Sequence, residues 1–148
     1  MAELATRQAN LAEMLAAAGL PGALIQHPVD LYYYAGGRQD GSLFVPAKGH
    51  GGSEEAGGDG PVAFVRRSLR RATWEAGGDD APHRIVAFPR LSRLAETLQS
   101  EGVDQAPALQ LSETPGTFSA RFASALSALG TCNDATGCLL YTSPSPRD

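Results

Sequence analysis

The sequence predicts an α/β fold: a three-layer sandwich with a central, largely parallel or mixed sheet of about five strands flanked by helices. Three observations predict it. Short continuous apolar runs alternate with segments of helical period along most of the chain, and that alternation marks helices packed on a buried sheet. Gly or Pro punctuates nearly every junction between them, where a backbone must stop one element and begin the next. The length, 148 residues, suits one domain, and no repeat at a fixed period argues for a solenoid.

Leu4 to Ala18 reads as the first helix, with Leu4, Leu11, Leu15 and Ala18 on one face and Arg7, Gln8, Asn10 and Glu13 mostly elsewhere. Gly19 and Pro21 stop it. Ala23-Leu24-Ile25-Gln26 is a short buried strand, ended by His27-Pro28 because Pro cannot donate to a ladder. Asp30 is placed to cap a helical turn through Leu31-Tyr32-Tyr33-Tyr34. Three consecutive rings on a helical turn cannot share a side, so one or two pack and another reaches the surface. Gly36 to Gly41 is a loop, and Leu43-Phe44-Val45 a second strand stopped by Pro46. Residues 47–60 hold six glycines and no large apolar side chain, the composition of a flexible surface loop.

Val62-Ala63-Phe64-Val65 is the third strand. Ser68 is placed to cap a helix to about Ala76, with Leu69, Ala72, Thr73 and Ala76 on one face. Ile85 to Phe88 is a fourth strand, after the Gly77-Gly78-Asp79-Asp80 break. A helix from Pro89 to Gly102 follows, with Leu91, Leu94, Ala95 and Leu98 on one side. Leu109-Gln110-Leu111 is a weaker fifth strand. Thr114-Pro115 opens a last helix, whose Phe118, Phe122, Ala125, Leu126 and Leu129 form the cleanest stripe in the chain before Gly130. After Gly130 the alternation calls for another strand and helix, and neither is legible.

Composition narrows the class. Leu, Ile, Val and Phe make up about one fifth of the chain, the lower edge for a packed domain. Gly 17 and Pro 10 mark unfolded length around that core. No run approaches the ~18 apolar residues of a membrane span, and the N-terminus lacks the basic-then-apolar pattern of a signal peptide. Two cysteines are too few for a disulfide scaffold. A net charge of −4 does not favour nucleic acid. The expectation is a cytoplasmic protein that engages neither membrane nor nucleic acid.

The residues offer no self-contained chemistry. Gly36-x-x-x-x-Gly41 has P-loop glycine spacing, but Ser42 and Leu43 stand where Lys and Ser/Thr belong, and a strand follows where a helix must begin. His27, His50 and His83 fall on turns and a loop without ligand spacing, and Cys132 and Cys138 lack companions for a four-ligand site. They read as surface residues with no shared role. There is no G-x-S-x-G. Arg66-Arg67 and Arg70-Arg71, with Trp74 near, form the one basic cluster. An anion or nucleic acid is one partner for such a cluster; in a net-acidic chain it reads instead as a solvated helix face with Arg71 paired to Glu75 four residues on, or as a contact to another domain or subunit, where Arg is enriched.

One stretch resembles a known family. Leu15-Ala-Ala-Ala-Gly-Leu20-Pro-Gly-Ala-Leu-Ile25-Gln-His-Pro-Val-Asp30-Leu-Tyr-Tyr-Tyr-Ala35-Gly is similar to the N-terminal domain of the creatinase, prolidase and aminopeptidase P family, the Xaa-Pro peptidases. Of the pattern Pro-x-Asn-(Ile/Leu)-x-Tyr-(Leu/Phe)-(Thr/Ser)-Gly, Pro28, Leu31, Tyr33 and Gly36 match; Asp30 replaces Asn and Ala35 the small hydroxyl residue. The order of elements resembles the family over residues 4–130, with 47–60 as an insertion. The resemblance implies a non-catalytic N-terminal domain joined to a larger metallopeptidase domain. That second domain carries two divalent ions, Mn or Co, on two Asp, one His and two Glu, which polarise a carbonyl and activate a bridging water. None of those ligands falls within this chain. The resemblance also implies a homodimer, and a substrate-cleft loop at Gly36, Gly37, Arg38, Gln39 and Asp40, where Arg38 meets a substrate carboxylate by a charge-assisted contact.

The expected organisation is a domain over 1–130, a tail over 131–148 whose last part, 138–148, resembles translated adapter rather than native sequence, and an absent catalytic domain. Two rivals remain: a stand-alone α/β domain that binds a ligand or partner, and the N-terminal domain of a catalytically inactive relative.

Overall fold

A computed structural model describes residues 2–37, 40–48, 60–100, 105–109, 116–130 and 132–133, apart from the side chains of residues 2 and 116–119. The elements are α1 (Ala2–Ala17), β1 (Gly22–Ile25), α2 (Pro28–Ala35), β2 (Gly41–Pro46), β3 (Val62–Val65), α3 (Leu69–Glu75), β4 (Arg84–Ala87), α4 (Leu94–Ser100), β5 (Ala108–Leu109) and α5 (Gly116–Ala125). Short 3₁₀ turns lie at Gly78–Asp80, Leu91–Arg93 and Ser127–Leu129. The strands form one sheet in the order β4-β3-β2-β1-β5. It is mixed. β1 pairs antiparallel with β2, and β2 antiparallel with β3, while β3–β4 and β1–β5 are parallel.

Alternation along each strand sends successive side chains to opposite faces. Ala23, Ile25, Leu43, Val45, Ala63 and Val65 join Leu11, Leu15, Leu31, Tyr34 and Ala72 in one core, under α1, α2 and α3. Leu24, Phe44, Val62 and Phe64 join Leu94, Leu98, Phe122 and Leu126 in a second core, under α4 and α5. Each large apolar side chain so buried contributes about 1.5–3 kcal/mol. Two cores on two faces give the three layers, and explain why β1 and β3 read as unbroken apolar runs. Beyond Gly130, the Asn133 carbonyl accepts a hydrogen bond from the Leu109 N–H at 2.8 Å.

Several local expectations are corrected. α2 begins at Pro28, with His27 at the cap position and Asp30 fully buried within its first turn. Proline's fixed φ suits the first helical position, so the helix starts before Asp30 can cap it. Ser68 does precede α3, but in the left-handed region (φ 55°) and with no cap from its hydroxyl. On α3 only Ala72 is buried, with Ala76 buried just past its end, while Leu69 is exposed. β4 starts one residue early and is half exposed, because it is an edge strand. The three tyrosines divide as expected: Tyr34 is buried, Tyr33 meets it edge-on at 4.8 Å, and Tyr32 is 54% exposed. Arg71 reaches Glu75 at 3.1 Å.

Gln8 and His83 are the larger correction, since both are buried. Gln8 sits one helical turn from Leu4 on the packed face of α1. Its Nε2 donates to the Tyr34 carbonyl at 2.8 Å and lies 3.0 Å from His83 Nδ1. A carbonyl partner identifies that atom as the amide nitrogen, so Nδ1 must accept, and the ring is neutral with its proton on Nε2. Burial lowers the His83 pKa from its ordinary 6.5, because desolvation disfavours the charged ring.

Two outcomes follow from this packing. The unfolded chain takes up a proton at His83 that the folded chain refuses, so the stability involved is complete above pH 6.5 and is lost as pH falls through the lower folded value. Urea midpoints measured between about pH 5 and pH 8 are expected to drop on the acid side, and the drop should shrink in His83→Gln. At the start of β2, a Cβ on Gly41 would stand 1.9 Å from the Phe64 carbonyl oxygen. Gly41→Ala is therefore expected to cost about 1–3 kcal/mol in the same urea measurement.

Candidate functional site

A groove of about 510 Å³ opens where β1 ends, α2 begins and β2 begins. Gln26, Pro28, Val29, Leu31, Tyr32, Gly37 and Asp40 line it. The pattern of α2 makes its wall. Leu31 and Tyr34 turn into the core, so Val29 and Tyr32, three residues apart, share the outward face and are 50% and 54% exposed. Val29 and Tyr32 thus give the groove an apolar and aromatic face, and Gly37 and Asp40 also line it.

The loop opposite this wall is anchored at both ends. Gly36 caps α2 in the left-handed region (φ 79°), and its N–H donates to the Tyr32 carbonyl at 3.0 Å. Gly37 passes the Glu75 side chain at the end of α3. At the far end, the Asp40 carbonyl accepts from the Arg66 N–H at 2.9 Å, and the Asp40 carboxylate stands 3.6 Å from Arg66 Nε. The Arg66 guanidinium in turn lies over the Phe88 ring at 4.1 Å. At the N-terminal side, Arg7 Nη1 donates to the Tyr33 carbonyl at 3.0 Å and its guanidinium stacks on the Tyr33 ring. Through Tyr34, the Gln8–His83 pair fixes the same helix from beneath.

Of the expected loop residues, Gly37 and Asp40 line the groove, and Gly36 forms the cap that turns the chain into it. Arg38 and Gln39 lie outside the described residues. Sequence reasoning missed Gln26, Val29 and Tyr32. The available signal was the apolar i, i+3 pair Val29/Tyr32 on a helix whose opposite side was already committed to the core.

Among the described residues, no three His, Cys, Asp or Glu side chains stand close enough to hold a metal ion. The two-metal centre implied by the resemblance therefore finds no donor set in them, and no step through a metal is assigned to this chain. Burial raises the Cys132 thiol pKa, which makes it a poor nucleophile. Among the groove's described lining residues, Tyr32 and Asp40 are the titratable ones.

No family model matches the chain, and no curated protein does. Solved structures do match. The N-terminal domain of cytoplasmic peptidase PepQ from Mycobacterium tuberculosis H37Rv superposes with a TM-score of 0.70 at 22% identity, over 93% of this chain and 98% of that one. Dipeptidase PepE from Mycobacterium ulcerans gives a TM-score of 0.68 at 23% identity, over 95% of this chain but only 36% of its own. The N-terminal domain of Xaa-Pro dipeptidase from Lactobacillus brevis gives 0.63 at 13% identity, over 90% and 98%. The fold is that of the N-terminal domains of these peptidases, as the resemblance implied. The chain spans about a third of the length of the PepE dipeptidase.

The cap at Gly36 supplies a direct check on the loop. A side chain there would adopt φ 79° and approach Leu4 Cδ1 to 2.8 Å. Gly36→Ala is expected to lower stability by about 1–2 kcal/mol, the cost of a left-handed non-glycine residue, as read from thermal or urea unfolding.

Proposed function

We propose that this chain is the non-catalytic N-terminal domain of an Xaa-Pro aminopeptidase- or dipeptidase-like metallohydrolase that acts in the cytoplasm as a homodimer. The observation that carries the reading is the superposition of 95% of the chain on 36% of a dipeptidase, which leaves a separate, larger part to do the chemistry. In this reading the groove at α2 is one wall of the substrate cleft. Val29 and Tyr32 offer apolar contact to a short peptide, Gly36, Gly37, Arg38, Gln39 and Asp40 are the loop this domain lends to the cleft, and Arg38 meets the substrate carboxylate. The catalytic domain supplies two divalent ions, Mn or Co, that activate water.

The domain by itself binds and positions but does not hydrolyse. Incubated with Mn²⁺ and an Xaa-Pro dipeptide, the chain is expected to release no more amino acid than buffer; sustained turnover would overturn its non-catalytic role. Coding sequence downstream of the domain should encode the two Asp, one His and two Glu of the metal centre. A continuous frame without them would sink the peptidase reading.

A further inference from the structure

The amide nitrogen of Gln8 serves two acceptors at once, the Tyr34 carbonyl at 2.8 Å and His83 Nδ1 at 3.0 Å. That double use makes both bonds depend on one proton. A proton on Nδ1 turns the ring atom into a donor, and donor then faces donor. Turning the amide over offers Oε1 to the Nδ1–H, but sets the same oxygen against the Tyr34 carbonyl. From this position no orientation of the amide satisfies a charged His83 and Tyr34 together. One partner must be given up, and a buried charge left unpaired costs more than a neutral carbonyl.

The surroundings give the ring no other way to hold the charge. A cavity lies beside His83, and the side chains that line it from α2, β2, β3, α3 and β4 include no other charged or titratable group. From α1 the ring meets Gln8. On α3, Glu75 is turned to Gly37 and to Arg71. On β4, Arg84 is exposed. The cavity is about 30 Å³, above the ~10–15 Å³ that admits a water. A small displacement of α2 therefore hydrates the ring without unfolding the chain. The cavity also shares Leu31 and Gly37 with the groove.

We propose that Gln8 and His83 form a proton-operated latch on α2: a proton on His83 Nδ1 releases the Tyr34 carbonyl and loosens the wall of the groove. With the latch closed, α2 is tied to α1 through Gln8 and through Arg7 at the Tyr33 carbonyl. With it open, the Arg7 tie remains and the buried one is lost. Burial lowers the His83 pKa from 6.5, which fixes the sign. The latch is closed at neutral pH and opens as pH falls below 6.5, where a hydrated ring takes up the proton that the buried ring refuses. Between 6.5 and the lower folded value, each unit of pH raises the open population by up to about tenfold. The latch acts on the groove whose peptide role is proposed above, and rests on that reading for what the groove holds. Its test reads backbone exchange rather than peptide, so the two can fail separately.

Amide hydrogen exchange of the full chain is followed by NMR from about pH 5 to about pH 8, each rate divided by the intrinsic rate at that pH. The Leu31 and Gly36 N–H groups of α2, bonded to the His27 and Tyr32 carbonyls, are expected to lose protection by up to about tenfold per pH unit below 6.5. α4, on the opposite face of the sheet, should keep its protection; a parallel loss there would mean global unfolding and would sink the local latch. His27 and Asp30 face each other at 3.7 Å at the start of α2. His83→Gln leaves that pair in place and should abolish the pH dependence. If His83→Gln does not fold, the imidazole resonances of the unaltered chain decide, since the His83 ring and the α2 amides are expected to share one midpoint below pH 6.5. Protection of α2 that is independent of pH, that follows a different midpoint, or that keeps its pH dependence in His83→Gln would overturn the proposal.

Discussion

The amide of Gln8 is where α1, α2 and the turn before β4 are fastened together. A buried amide must find partners or lose a large desolvation term. This one has two acceptors in reach, the Tyr34 carbonyl and His83 Nδ1. The geometry works only with His83 neutral, and the apolar surroundings that bury the ring keep it so. Apolar packing would tolerate small sliding of α2 on the sheet. A pair of directional bonds does not, and α2 is the element that shapes the groove.

The groove inherits that rigidity. Its aromatic wall is the outer face of a helix held by Tyr34 from below and by Arg7 along its side. The opposing loop is tied at Gly36 and at Asp40. A site built this way binds with its walls already placed and spends less of its interaction energy on ordering them.

Much of this was legible in the sequence wherever one pattern governed one element. Val62 to Val65 reads as a strand and is one, because both its faces meet helices. Phe122 and Leu126 read as a buried stripe and are buried. The illegible features arise where a residue's surroundings come from far along the chain. Gln8 looks like a surface residue until His83, 75 positions on, closes its hydrogen bond. Ile85 and Val86 look like core until the sheet order places their strand at an edge. Asp30 has the chemistry of a cap, but Pro28 starts the helix first. The groove itself was half legible: the loop was found through the family resemblance, while its wall required knowing which side of α2 the core had claimed.

The antiparallel register of β2 and β3 also decides where this domain can change without consequence. Gly41 opposes Val65 and Phe44 opposes Val62, so Asp40 and Arg66 meet at one end of the hairpin, and the connection from Lys48 to Gly60 spans the other. Both ends of that connection are pinned, through the Ala47 N–H to the Pro21 carbonyl and the Arg84 N–H to the Pro61 carbonyl. Length changes between them enter the chain at the end of the hairpin opposite Asp40 and Arg66. That end of the hairpin is thus a natural port for drift, for an epitope or for a tether, one that lengthens the chain away from Asp40 and Arg66.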